Sequence, residues 1–264
     1  MFTGIVRAWQ GARGAEIQGR KPKKSDTARR GSLRRVSAPA AAKEIAVGPY
    51  RIRPARTSEE LSGFERWTSM AGAGGPKVAA NLVRAHADGF LGEGLRDPDS
   101  SYRLMAAAVT GGDVDAVVWA RTDALVATLD GQIVGGALVG PAAQFISDLG
   151  EAHDLSTTAV MQALLFTSKL HLVAIDDDRR RRGLGRALVH AATFSAYRGG
   201  VQILYGQFLT SDQGLADFYG RQGFTVMPPA TPLNFSHWLD GFPGGPAPLA
   251  NETFFYRLLT TDCF

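Results

Sequence analysis

The chain has 264 residues, 45% of them apolar, which is enough for one large domain with a buried core. Its one cysteine, Cys263, excludes an internal disulfide framework and fits a reducing compartment, so a cytoplasmic protein is expected. The net charge of +4 conceals two unlike parts: residues 1–45 hold 11 Lys+Arg against 3 Asp+Glu, and the remainder holds 18 against 22, which argues against a nucleic-acid-binding core.

Residues 1–48 contain Arg20-Lys21-Pro22-Lys23-Lys24, Arg29-Arg30 and Arg34-Arg35, spaced by Gly, Ser and Ala. Without apolar periodicity, the segment reads as a basic disordered tail. A solvated extension, or a start placed too far upstream, is favoured there over a transit peptide and over an arm that contacts nucleic acid. The second unit, 49–264, opens with alternating Tyr50–Ala55, a strand, followed by Thr57-Ser58-Glu59-Glu60, a capped helix start. Residues 61–118 read as mostly helical, with breaks at Gly72–Gly75 and Asp97-Pro98-Asp99. Ala124–Leu129, Asp130-Gly131 and Gln132–Val139 form a hairpin, because Asp-Gly supplies the positive φ of a tight turn. A connector with helical stretches spans 142–168. Strands at Lys169–Ile175, Val201–Phe208, Phe224–Met227 and Thr253–Leu259 alternate with helices at Gly183–Tyr197 and Asp212–Gln222, and a Pro/Gly-rich loop fills 228–251. The longest apolar stretch, Ala159 to Ile175, is interrupted by Gln162, Ser168, Lys169 and His171 and makes a poor membrane span. The order predicts an α/β (α+β) fold: a mixed sheet with helices on both faces.

The most informative segment runs from Val173 to Leu188, where an apolar strand ends, a polar loop turns and a helix starts on glycines. Free amides at a helix N-terminus, with the positive end of the helix dipole behind them, suit a phosphate, and the arginines add charge-assisted hydrogen bonds. Neither G-x-G-x-x-G nor G-x-x-x-x-G-K-[ST] is present. The run Asp176–Asp178 has no His or Cys beside it and reads as a turn that pairs with arginines, so no metal is expected.

Arg180-Arg181-Arg182-Gly183-Leu184-Gly185 resembles the Gln/Arg-x-x-Gly-x-Gly/Ala signature of GCN5-related N-acetyltransferases (GNAT), with Asp177 where many members have Pro. Downstream, Asp212-Gln213-Gly214-Leu215-Ala216-Asp217-Phe218-Tyr219-Gly220-Arg221-Gln222-Gly223-Phe224 resembles the family's Asn-x₆-Tyr-x₃-Gly-Phe segment, with Asp212 in place of Asn. That resemblance implies a mostly antiparallel sheet in which Lys169–Ile175 diverges from a parallel neighbour, Val201–Phe208, and the pantetheine arm of acetyl-CoA fills the gap. It implies that Val173, Ala174 and Ile175 hold the arm, and that Arg180, Arg181, Arg182, Gly183, Leu184, Gly185 and Arg186 hold the pyrophosphate. Asp212 would contact the arm and cap its helix, and Tyr219 would protonate the leaving thiolate. Many relatives carry a Glu where this chain has Lys169, and His171, alternating with Val173 and Ile175, is the candidate base. The acceptor would be an amine of a small molecule or of a protein. A homodimer and a non-catalytic coenzyme A binder of the same fold stay open, and no membrane partner is expected.

Overall fold

The computed structural model describes residues 44–70, 75–96, 114–239 and 242–260, together with Asp99 and Arg103. The tail up to residue 43 and the breaks predicted at 72–74 and 97–98 lie outside the described residues. The tail boundary at residue 48 needs correction, because β1, Ile45–Val47, is an edge strand paired with β2, Tyr50–Pro54. Three apolar-rich residues ahead of a Gly48 turn gain pairing only because Tyr50 and Ile52 are anchored in the core behind them.

Short helices follow: α1 Ser58–Ser62, α2 Phe64–Met70, α3 Gly75–Ala87, α4 Glu93–Arg96 and α5 Val114–Ala120. Thr57 caps α1 as predicted, its hydroxyl accepting from the Glu60 amide at 3.2 Å. The hairpin comprises β3, Asp123–Leu129, and β4, Gln132–Gly140. Its two turn residues, Asp130 and Gly131, have φ of 51° and 80°, the left-handed pair that matches strand twist. The connector folds into two helices, α6 Ala143–Ala152 and α7 Thr157–Phe166. The chain then forms β5 Thr167–Ile175, α8 Leu184–Arg198, β6 Ile203–Leu209, α9 Gln213–Gly220, β7 Thr225–Val226 and β8 Glu252–Leu258.

The eight strands form one sheet in the order β1-β2-β3-β4-β5-β6-β8-β7. Every pairing is antiparallel except β5 with β6, where the α8 crossover forces a parallel neighbour. On one face α8 buries Leu184, Leu188, Val189 and Ala192 against Leu125, Ala137, Leu170 and Leu204. On the other face Leu61, Phe64, Trp67 and Leu82 of α1–α3 meet Val126, Leu138 and Leu172. Beside them Ile146, Met161 and Leu164, with Phe235 of the late loop, cover Ile203, Tyr205 and Phe254. Each fully buried leucine contributes about 1.5–3 kcal/mol, so the sheet is clamped from both sides.

One polar residue joins the helix ends. Arg121 is 1% exposed. It donates to the carbonyl of Gly199 after α8 at 2.9 Å, to Gly94 of α4 at 3.5 Å, and to Leu165 in the last turn of α7. A cation suits these carbonyls because the helix dipole leaves them negative.

Candidate active site

The parallel pair parts after three residues. Thr167 pairs with Ile203, Ser168 with Leu204 and Lys169 with Tyr205, and no pairing follows. β5 stays bonded to β4 through Ile175, and β6 stays bonded to β8 through Leu209, so the gap separates two intact half-sheets. In consequence Lys169, His171, Val173, Ala174 and Ile175 are partly exposed although β5 is a central strand. The cause is legible in the β4 register, which jumps from Leu138↔Leu172 to Val139↔Leu170 and leaves His171 unmatched. Such a bulge bends its strand and increases the local twist. It also breaks strict alternation, so the expectation that His171 shares a face with Val173 and Ile175 does not carry across it.

His171 Nε2 donates to the Gly140 carbonyl at 3.2 Å, which leaves Nδ1 as the acceptor. Burial, then the neighbouring Lys169 charge, push its pKa down to about 3. Lys169 is also desolvated, which pushes its pKa down to about 8, with Glu252 pulling weakly the other way. Among the described residues no hydrogen bond or ion pair holds the Lys169 amine.

Beyond Ile175 the chain turns through Asp176–Arg182 into α8. The acidic run pairs with arginines: Asp176 with Arg66 at 2.5 Å, Asp177 with Arg180 at 2.6 Å, and Asp178 with Arg179 at 3.0 Å. Arg181 and Gly183 take φ of 63° and 78°. Left-handed residues are part of the backbone pattern that lets neighbouring amides converge on an anion. Gly183 is the N-cap and offers no side chain, and the first helical hydrogen bond runs from Ala187 to the Gly183 carbonyl. The amides of Leu184, Gly185 and Arg186 take no backbone acceptor. Arg181, Arg182 and Arg186 are exposed around them. A Cβ on Gly185 would sit 3.2 Å from Ile175 Cδ1 and 3.5 Å from Phe218 Cζ, so Gly185 faces the junction of β5 and α9.

Asp212 stands at the N-cap of α9, but its side chain caps nothing, contrary to expectation. Its Oδ2 is buried without a partner, and burial raises its pKa. Tyr219 is 2% exposed. Its ring stacks on Phe255 with centroids 3.7 Å apart and meets Phe218 and Phe224 edge-on at 5.0 and 5.8 Å. Burial raises its pKa, so the phenol stays protonated. Gly223, φ 79°, follows α9 in the left-handed conformation, which glycine adopts without steric cost. In the late loop Trp238 packs on Tyr256 with centroids 5.1 Å apart, as a loop anchor.

The sequence did not single out Tyr205 and Glu252. Tyr205, paired with Lys169, points to the same face and is buried, which raises its pKa. An aromatic in an alternating strand gives no sign of this; only the register brings it to the gap.

Residues 120–226 match a family model described as "Acetyltransferase (GNAT) domain". No curated protein matches the chain. Among solved structures, Ard1 from Thermoplasma volcanium is 14% identical, with 80% of this chain covering 99% of that one at a TM-score of 0.44. An acetyltransferase of the GNAT family from Streptococcus pneumoniae is also 14% identical, with the same coverage and a TM-score of 0.45. A GNAT family acetyltransferase from Elizabethkingia anophelis with acetyl-CoA bound is 14% identical, with 60% of this chain covering 90% of that one at a TM-score of 0.35. The matched segment contains the hairpin, the parting strands, the open start of α8 and the Tyr219 helix in one continuous run. That match, with both signature segments inside it, gives the chain a GNAT acetyltransferase domain over residues 120–226.

Proposed function

We propose that the protein is an acetyl-CoA-dependent N-acetyltransferase that passes the acetyl group to a primary amine of a small molecule or protein by direct attack on the thioester. The observation that carries this reading is the parting of β5 from β6 beyond Lys169 and Tyr205, together with the unbonded amides of α8, the helix that follows β5. The gap has the chemistry of an extended amide chain's site. One edge, β5, has main-chain groups from Leu170 to Ile175 that β6 no longer pairs, and the orphaned Asp212 Oδ2 offers an acceptor for an amide N–H.

In this reading Val173, Ala174 and Ile175 bind the pantetheine arm. Leu184, Gly185 and Arg186 present their amides to the pyrophosphate at the Gly183 cap, and Arg180, Arg181 and Arg182 add charge. Binding at both ends converts a bimolecular attack into an intramolecular one. Tyr219 keeps its proton until a thiolate forms and then supplies it. His171 is neutral over the working range, because its pKa lies far below the ordinary value of about 6.5. Its Nδ1 therefore orients the attacking amine by hydrogen bonding rather than storing the amine's proton.

The test is a screen of small amines, peptide N-termini and lysine peptides for acetyl-CoA-dependent thiol release. The expected result is turnover with one acceptor class. The second reading, a non-catalytic coenzyme A binder, is favoured by the close packing of Tyr219 among aromatic rings. Calorimetric binding of acetyl-CoA without turnover on any acceptor class would establish it instead.

A further inference from the structure

We propose that Lys169 is the proton acceptor of the reaction: it takes the proton of the attacking amine at the apex of the gap, from the face of the sheet opposite Tyr219. This rests on the acetyltransferase reading above.

The placement follows from register and packing. Lys169 and Tyr205 are the last paired residues before the strands part, so Lys169 stands where the gap closes. Register partners in a parallel pair point to the same face, and the Tyr205 ring packs on Phe235 and Phe254, away from α8. The next residue, Leu170, packs in the α8 cluster, which confirms the alternation at this point. Tyr219 belongs to that α8 cluster as well. Lys169 therefore stands at the apex of the gap on the face opposite α8 and the Tyr219 ring. A coenzyme pinned at the N-terminus of α8 and lying along the gap directs its acyl end toward the apex. An acceptor reaching that end from the far face meets Lys169.

Lys169 is partly exposed and has no hydrogen bond or ion pair among the described residues. The titratable groups facing it are His171 on β5, Tyr205 on β6 and Glu252 on β8; adjacent β4 offers Gly140. His171 and Tyr205 are neutral at physiological pH, and Glu252 makes no ion pair within 4.0 Å of the amine. Desolvation leaves the amine with a pKa of about 8, close to working pH, where a base is most effective. In its protonated form Lys169 also repels an ammonium acceptor, so both effects make activity rise with pH.

The protons balance. An acceptor ammonium gives one proton to Lys169 Nζ, and its freed lone pair forms the C–N bond. The tetrahedral oxyanion collapses and the C–S bond breaks. The thiolate takes the Tyr219 proton, and the second proton on nitrogen returns to the tyrosinate. Lys169 releases its proton to solvent, so the products are an amide, a thiol and one proton.

The experiment uses the full chain with the acceptor found by the screen. One variant is Lys169→Met. The other is Lys169→Cys in a Cys263→Ser background, alkylated with 2-bromoethylamine. That product restores the amine on a chain of similar length, with a sulfur that lowers its intrinsic pKa. Lys169→Met should lower kcat by about 10²–10⁴-fold, the usual worth of a general base, with acetyl-CoA affinity unchanged by calorimetry. The alkylated variant should recover turnover, with the acid limb of kcat moved to lower pH. Wild-type kcat and pH limb in Lys169→Met would overturn the proposal. So would an alkylated enzyme that stays inactive, or one active with an unmoved limb. If Lys169→Met fails to fold, the alkylated enzyme alone decides. Failure of the underlying reading shows separately, as wild-type protein that turns over no amine.

Discussion

Replacing Tyr219 with Phe keeps the ring stack on Phe255 and removes one hydroxyl. Help given to a leaving thiolate exists mainly in the transition state, so kcat should fall while acetyl-CoA affinity holds. A thiolate is already a fair leaving group, so the expected loss is about 10²-fold, the lower end of the range for acid catalysis. Stopped assays on the true acceptor with parallel calorimetry check it, and full kcat in the Phe variant would return Tyr219 to a packing role. His171 and Lys169 separate by pH. His171 has a pKa of about 3, so it is neutral on both sides of pH 7. His171→Ala should therefore lower the rate without moving the acid limb of kcat above pH 6. Lys169 also carries a stability signature. Its folded pKa of about 8 lies below the ordinary 10.5, so the fold disfavours the charged form. The penalty is complete below pH 8 and is relieved as pH rises toward 10.5. Lys169→Met should raise stability at pH 7 by about 1–2 kcal/mol, discounted for the amine's partial exposure, with a gain that shrinks above pH 8. Urea unfolding at pH 7 and pH 10 measures the difference.

At the scale of elements, α8 has two loaded ends. At its N-terminus the amides are open and Gly185 faces Ile175 and Phe218. Gly185→Leu should fill that junction and abolish coenzyme A binding by calorimetry, with the fold retained, because Gly185 has a φ that L-residues adopt. Gly183 is the poorer test: its φ of 78° strains any L-residue whatever the space around it. At the C-terminus Arg121 bonds the carbonyl after α8 together with those of α7 and α4. Arg121→Met should orphan these buried acceptors and cost about 2–4 kcal/mol in urea unfolding at pH 7. An unchanged midpoint would mean that water replaces the guanidinium.

For the whole molecule, the position of the first strand sets where the chain can be cut. Deleting residues 1–43 should leave melting temperature and acetyl-CoA affinity unchanged, since the sequence there lacks apolar residues in any period. Deleting residues 1–48 removes β1 and uncovers the edge of β2, so melting temperature should fall. Equal melting of the two truncations would show that β1 adds nothing. No helix among the described residues is long and apolar enough to cross a membrane.

The local features were legible in sequence because each rests on near neighbours. Asp130-Gly131 dictates its turn, Thr57 its cap, and Gly183-Leu184-Gly185 the open helix start after an apolar strand. The order of strands and helices, read with the family resemblance, anticipated a splayed pair. What sequence could not supply is register. Three paired residues followed by none, and one unmatched residue opposite β4, decide that β5 opens toward solvent in the middle of a sheet. Alternation placed His171 with Val173 and Ile175, and the bulge broke that inference, because a period of two holds only while each residue has a partner. The charge states in the cleft follow from the same cause. Lys169 and His171 read as ordinary titrating groups until the fold crowds them and strips much of their water, although the gap leaves them partly exposed, and desolvation is a property of the assembled fold.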